Sequence, residues 1–85
     1  MSIKTAKMKY DSGREVSLGD RVKLGNGERG TVVCLLGSRE FSKDYPKTEW
    51  GYLKSGILIK TDSGEVFHYP ELDEDVEFLK STAVP

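Results

Sequence analysis

Cysteine and histidine are almost missing from this chain: Cys34 and His68 are the single examples of each. One thiol forms no internal disulfide, which points to a cytosolic protein. One His and one Cys far apart in sequence do not make a metal site. The acids at 73–75 also lack the alternating spacing and central glycine of a calcium loop. We therefore expect no metal and no cofactor. No apolar run approaches the roughly 18 residues of a membrane span. The opening MSIKTAKMKY has scattered Lys but no apolar stretch of the kind a secretory signal needs. Helical periodicity is missing too. No window holds apolar residues at i, i+3, i+4 and i+7 over three turns, so a long helix is excluded. There is no internal repeat, low-complexity tract or linker.

Groups able to do catalysis are just as scarce. Ser38, Ser42, Ser55 and Ser63 fall in loops with no local base motif. Cys34 sits inside an apolar run, where a thiol is usually inert. His68 alternates with Val66 on a strand, where we expect it to be partly buried. It could be arranged with Asp73 or Asp75, but one histidine near acids is common in proteins without activity. The chain reads as a non-enzyme.

What is present is an ordinary globular balance. Eighty-five residues, 36% hydrophobic and 32% charged, make one domain with a modest core. Charge is close to neutral in sum but uneven along the chain. Residues 61–85 set Lys80 alone against Asp62, Glu65, Glu71, Asp73, Glu74, Asp75 and Glu77, while the first 60 residues carry an excess of Lys and Arg. Such polarity bears on partners more than on fold.

Nine glycines divide the chain into short β-rich segments. EVSL (15–18) and GDRVKL (19–24) read as strands, with Val22 and Leu24 facing inward. GNG at 25–27 is a hairpin turn, because Asn and Gly tolerate positive φ. RGTVVCLL (29–36) is apolar on both faces, and Gly30 marks a bulge or a close backbone approach. GILIK places Ile57 and Ile59 on one face and Leu58 on the other. TDSG is a turn, EVFHY the paired strand, and Pro70 ends it. ELDED reads as a helical or 3₁₀ turn, since Pro and acids favour a helix start. VEFL is a last short strand. The expected core is Val16, Val22, Leu24, Val32, Cys34, Leu36, Ile57, Ile59, Phe67, Val76 and Phe78. The fold expected is all-β: a small five-stranded SH3-like barrel over residues 14–80, whose closure hides sheet edges. Residues 1–13 would be a partly ordered N-terminal extension and 81–85 a C-terminal tail.

The run GDRVKLGNGERGTVV (19–33) resembles the opening hairpin of SH3-like and KOW-type domains, where a Gly-Asp turn leads to a V-x-L strand, a glycine turn and a G-x-V strand. More widely, GDRVKL, EWGYLKSGILI and HYPELDEDVEFL together resemble a group of short single-domain bacterial proteins. Some proteins of this general kind accompany polymorphic toxins as immunity factors. The resemblance implies a binding role, with a toxin domain as partner. A KOW-like hairpin also implies RNA or ribosome association, for which Arg14, Arg21, Lys23 and Arg29 would serve. The sequence pI of about 5.8 and the acidic tail argue against it.

Residues 37–54 form a long loop for so small a domain, and loops of that length tend to be functional or disordered. Four of the eight aromatics, Phe41, Tyr45, Trp50 and Tyr52, fall in this stretch. Trp50 and Tyr52 either cover the open end of the barrel as lids or anchor a partner. Phe41 and Tyr45, flanked by Glu40, Lys43 and Asp44, are harder to bury and suit a recognition surface. The expected partner-binding set is Phe41, Tyr45, Trp50 and Tyr52, with Asp73, Glu74 and Asp75 supplying electrostatic steering. The partner would be another protein, with an RNA-associated module or a regulatory subunit of an enzyme as alternatives.

Overall fold

The computed structural model describes residues 8–72 and 74–82. Along the chain it contains β1 (Arg21–Lys23), β2 (Arg29–Leu35), β3 (Glu40–Phe41), α1 (Lys47–Trp50), β4 (Ile57–Thr61), β5 (Val66–Tyr69) and β6 (Glu77–Lys80). Every ladder is antiparallel. The strands make one sheet in the order β5-β4-β2-β1-β6, with β3 paired to β2 off that path.

The β1–β2 hairpin forms where the glycines place it. Leu24 and Glu28 close the turn through a 2.7 Å backbone bond, and Gly27 at its tip has φ 91°. Gly30 is needed for a different reason. A β-carbon there would lie 2.7 Å from the Lys60 carbonyl oxygen and 2.8 Å from Ile59 Cγ2, so β2 and β4 meet closer than any side chain permits.

The doubly apolar run of β2 is explained by a bulge. Val32 pairs with Ile59, yet the next pair is Cys34 with Leu58, which leaves Val33 as the extra residue. A bulge re-aims the side chains around it. Val32 and Leu35 therefore join the main core with Val22, Ile57 and Ile59, while Val33, Cys34 and Leu36 turn to the opposite face beside Leu58. Both faces of the central strands are buried, and each fully buried aliphatic stabilises by about 1.5–3 kcal/mol. Ile57 and Ile59 separate from Leu58 as alternation predicts.

Several expectations need correction. The sheet is open and not a closed SH3-like barrel: β5 and β6 are its ends, and Phe67 and Leu79 on them are each 37% exposed. Residues 15–18 form no strand. Glu15 makes only an isolated bridge to Lys9, while Val16 and Leu18 still turn toward the core. The chain at this point spends its backbone bonds on a local hairpin, Val16 N–H to the Met8 carbonyl and Tyr10 N–H to that of Arg14. Glu71, Leu72, Glu74 and Asp75 make bends and a turn, not a helix; the helical turn lies instead at Lys47–Trp50, after Pro46. Phe67, expected in the core, stands on an edge strand. Phe78 is partly buried, and Tyr10 takes a full place in the core.

Candidate functional site

The long loop folds back over the sheet. β3 pairs Phe41 with Cys34, and the Ser42 N–H donates to the Val33 carbonyl, so the loop starts as a strand beside β2. Arg39, with φ 60°, then acts as a clamp. Its guanidinium donates to the Leu53 and Gly51 carbonyls, each at 3.1 Å, and lies 5.2 Å from the Phe41 ring centroid. Tyr45 and Trp50 meet with ring centroids 5.8 Å apart. Phe41, Tyr45, Trp50 and Leu53 together pack on Val33, Cys34, Leu36 and Leu58 as a second small core.

This redistributes the four aromatics. Trp50 packs over the second core on the sheet and not over the end of a barrel, and Tyr52 is not a lid: it is 69% exposed. Phe41 and Tyr45, expected to be hard to bury, are half-buried, because the bulge in β2 gives them an apolar face to cover.

The acidic segment lies elsewhere. Glu74 and Asp75 are exposed and line a shallow depression with Tyr10, Asp11, Glu77 and Phe78. Tyr10 and Phe78 stand 5.3 Å apart by ring centroids, and the Arg14 guanidinium sits 4.1 Å over the Phe78 ring. None of the four loop aromatics lines this depression. Asp73 is outside the described residues. The expected partner-binding residues thus fall in two places, and the aromatic pair beside the acids is one that sequence reasoning did not assign to the site. For Tyr10 the available signal was its position just before the turn at Asp11–Gly13.

A basic surface also emerges from the register. Lys80, Arg21, Thr31 and Lys60 lie opposite one another on β6, β1, β2 and β4, and Lys23 faces Arg29 on one side and Glu77 on the other. Arg21, Lys23, Arg29 and Lys60 alternate with core residues and so share the sheet face opposite the main core, while Lys80 joins the row across a register irregularity between Arg21 and Val22. Arg21 is held by Asp62 through two 2.8 Å bonds and also donates to Thr31 Oγ1. That pairing holds the Asp62 carboxyl below its ordinary range and raises Arg21. Lys23, Arg29, Lys60 and Lys80 are exposed. Arg14, grouped with these cations by sequence, lies instead over the Phe78 ring.

The remaining chemical groups are structurally engaged. Asp20 is fully buried; its Oδ2 accepts bonds from the Tyr10 hydroxyl (2.8 Å) and the Ser17 N–H (2.9 Å). Burial, and then the bond to Asp20, raise the Tyr10 phenol well above its usual value. Cys34 is buried, and burial pushes its thiol up. His68, expected to be partly buried, is exposed on β5, with Nε2 at 2.9 Å from the Ser55 carbonyl. Among the described residues no group of three or more His, Cys, Asp or Glu could hold a metal ion, and no helix is long and apolar enough to cross a membrane. The chain matches no protein family, no curated protein and no solved structure.

Proposed function

We propose that the protein is a non-catalytic binding module whose partner is another protein presenting a basic surface. The observation that carries this is the depression that the exposed acids Asp11, Glu74, Asp75 and Glu77 line together with the half-buried Phe78, over the buried Tyr10. Clustered carboxylates speed encounter with a cationic partner. A toxin domain with a basic active site, the partner that the resemblance implies, meets this requirement, and neutralisation would follow from covering that site. The test is surface resonance with a toxin domain encoded by an adjacent reading frame. Glu74→Lys with Asp75→Lys should slow association and flatten its salt dependence, with smaller effects on dissociation. Unchanged association would exclude this face.

A second reading is favoured by the exposed cations Lys23, Arg29, Lys60 and Lys80 around the Arg21–Asp62 pair. Such a surface suits the phosphate backbone of RNA in a KOW-like module. Fluorescence anisotropy with generic single-stranded RNA at physiological salt separates the two readings. Dissociation constants near 10⁻⁴ M mean only non-specific attraction. Submicromolar binding would put the second reading first.

A further inference from the structure

The aromatic loop and the sheet beneath it are held together in different ways. Cys34, Leu36 and Leu58, which the loop covers, are buried to 1% exposure or less. From Ser42 to Ser55 no residue is fully buried, and α1 contributes none. Residues 43–53 carry bonds of their own. The Trp50, Gly51 and Leu53 N–H groups donate to the Pro46, Lys47 and Trp50 carbonyls at 2.8–3.1 Å, so they survive if the segment moves as a unit. The sheet likewise holds without the loop. β2 and β4 pair Cys34 with Leu58 and Leu35 with Ile57, and the Leu36 N–H closes the loop's base on the Gly56 carbonyl at 2.9 Å.

Arg39 is the point where the loop is fastened. Among the described residues it is the one non-glycine with positive φ, at 60°. Its N–H ends a turn on the Leu36 carbonyl at 3.2 Å, and glycine is favoured at such a place because a side chain crowds the backbone. The guanidinium explains why an arginine stands there: it reaches across to the Gly51 and Leu53 carbonyls on the far arm of the loop. Strained residues held by their own side-chain bonds gather at clamps and switches. Both bonds are exposed, so water competes for the same groups and release is easy. Two further ties join the loop to β2, from the Ser42 N–H to the Val33 carbonyl and from the Cys34 thiol to the Tyr45 carbonyl.

We infer that residues 43–53 form a lid, latched by Arg39, which opens as a unit above Cys34, Leu36 and Leu58 while the sheet stays folded. Ser42 and Lys43 at one end, and Lys54 and Ser55 at the other, take up the change in backbone direction. Opening bares an apolar strip on the sheet face that also carries Lys60, and closing hides it. The lid uses no residue of the acidic depression and none of the exposed cations, so it stands apart from both binding readings.

The test follows alkylation of Cys34 by iodoacetamide through a urea series. Beside it runs amide exchange of Val32, whose N–H is bonded to the Asp20 carbonyl at the main core. Opening of the lid exposes little surface. Labelling should therefore report a larger opening constant than Val32 exchange and rise only weakly with urea, while Val32 follows the full unfolding slope. Arg39→Gly removes the latch and relieves the positive φ together. It should speed labelling about tenfold and leave Val32 exchange unchanged. Arg39→Lys keeps the charge but not the two-pronged donor, and should fall between. Labelling that shares the urea slope of Val32 exchange overturns the lid, because only unfolding of the whole domain then bares Cys34. Unchanged labelling in Arg39→Gly overturns the latch, as does equal acceleration of labelling and Val32 exchange.

Discussion

Tyr10 and Asp20 are joined inside the main core, where the phenol hydroxyl donates to the buried carboxyl at 2.8 Å. The bond ties the hairpin of residues 8–16 to the turn that precedes β1. Asp20 Oδ1 is buried and has no hydrogen-bond partner among the described residues, so the carboxyl depends on what Oδ2 receives. Tyr10→Phe should therefore destabilise by about 1–3 kcal/mol in chemical denaturation. Because burial and this bond raise the phenol, its stabilisation is complete below the ordinary tyrosine value near 10 and falls as pH rises beyond it. In alkaline titration, tyrosinate absorbance from Tyr10 should appear only together with unfolding, and the phenylalanine variant should lose that component.

Gly30 and Gly27 should fail for separate reasons. Gly30→Ala forces a β-carbon against the Lys60 carbonyl and Ile59, and overpacking of this kind costs about 1–3 kcal/mol. Gly27→Ala meets no atom within 4 Å and costs only the positive φ, about 1 kcal/mol. Thermal melts of the two variants and their double mutant should show additive losses. A Gly30→Ala variant as stable as the parent would contradict the close approach of β2 and β4.

Trp50 and Tyr52 separate cover from surface. Trp50→Ala strips part of the second core and should lower stability by about 2–3 kcal/mol, less than the 3–5 of a fully buried aromatic. Tyr52→Ala should leave the melt within about 0.5 kcal/mol, as for an ordinary surface change. If Tyr52 anchors the partner, the same variant should lose about 2 kcal/mol of binding or more by surface resonance.

The Arg21–Asp62 pair sets a direction for acid sensitivity. The Asp62 pKa is lowered in the folded protein, so the stabilisation is present above the ordinary aspartate value near 3.9. It is lost as pH falls through the depressed folded value. The Asp62 carboxyl followed by NMR should titrate below that ordinary value, and Arg21→Gln should return it upward.

Cys34 should be unreactive in the native state. It is buried, its Sγ lies 3.5 Å from the Tyr45 carbonyl oxygen, and burial raises its pKa, so at neutral pH it is a covered thiol and not a thiolate. Alkylation at pH 7.5 should proceed only as fast as the protein opens, and it should accelerate in Trp50→Ala, which removes part of the cover.

The sequence by itself determined the strands and turns of the central meander. Turn chemistry at Gly27 and Gly64, and the alternation of Ile57, Leu58 and Ile59, are local properties that short-range sterics and burial decide. Residue chemistry likewise made Val22, Leu24, Val32 and Ile59 core. Tertiary structure alone decided where the faces go. The bulge at Val33 cannot be read from an unbroken apolar run, yet it turns Cys34 to the reverse face and so creates the surface that Phe41, Tyr45 and Trp50 cover. Whether residues 15–18 would join the sheet depended on competition with the local hairpin to residues 8–10, which no strand propensity reports. Long-range register also gathered Lys80, Arg21 and Lys60 into one row and set Tyr10 beside Phe78 among the acids. Such groupings arise only when strands distant in the chain are paired, because a side chain's neighbours across a sheet are fixed by hydrogen-bond register and not by proximity along the backbone.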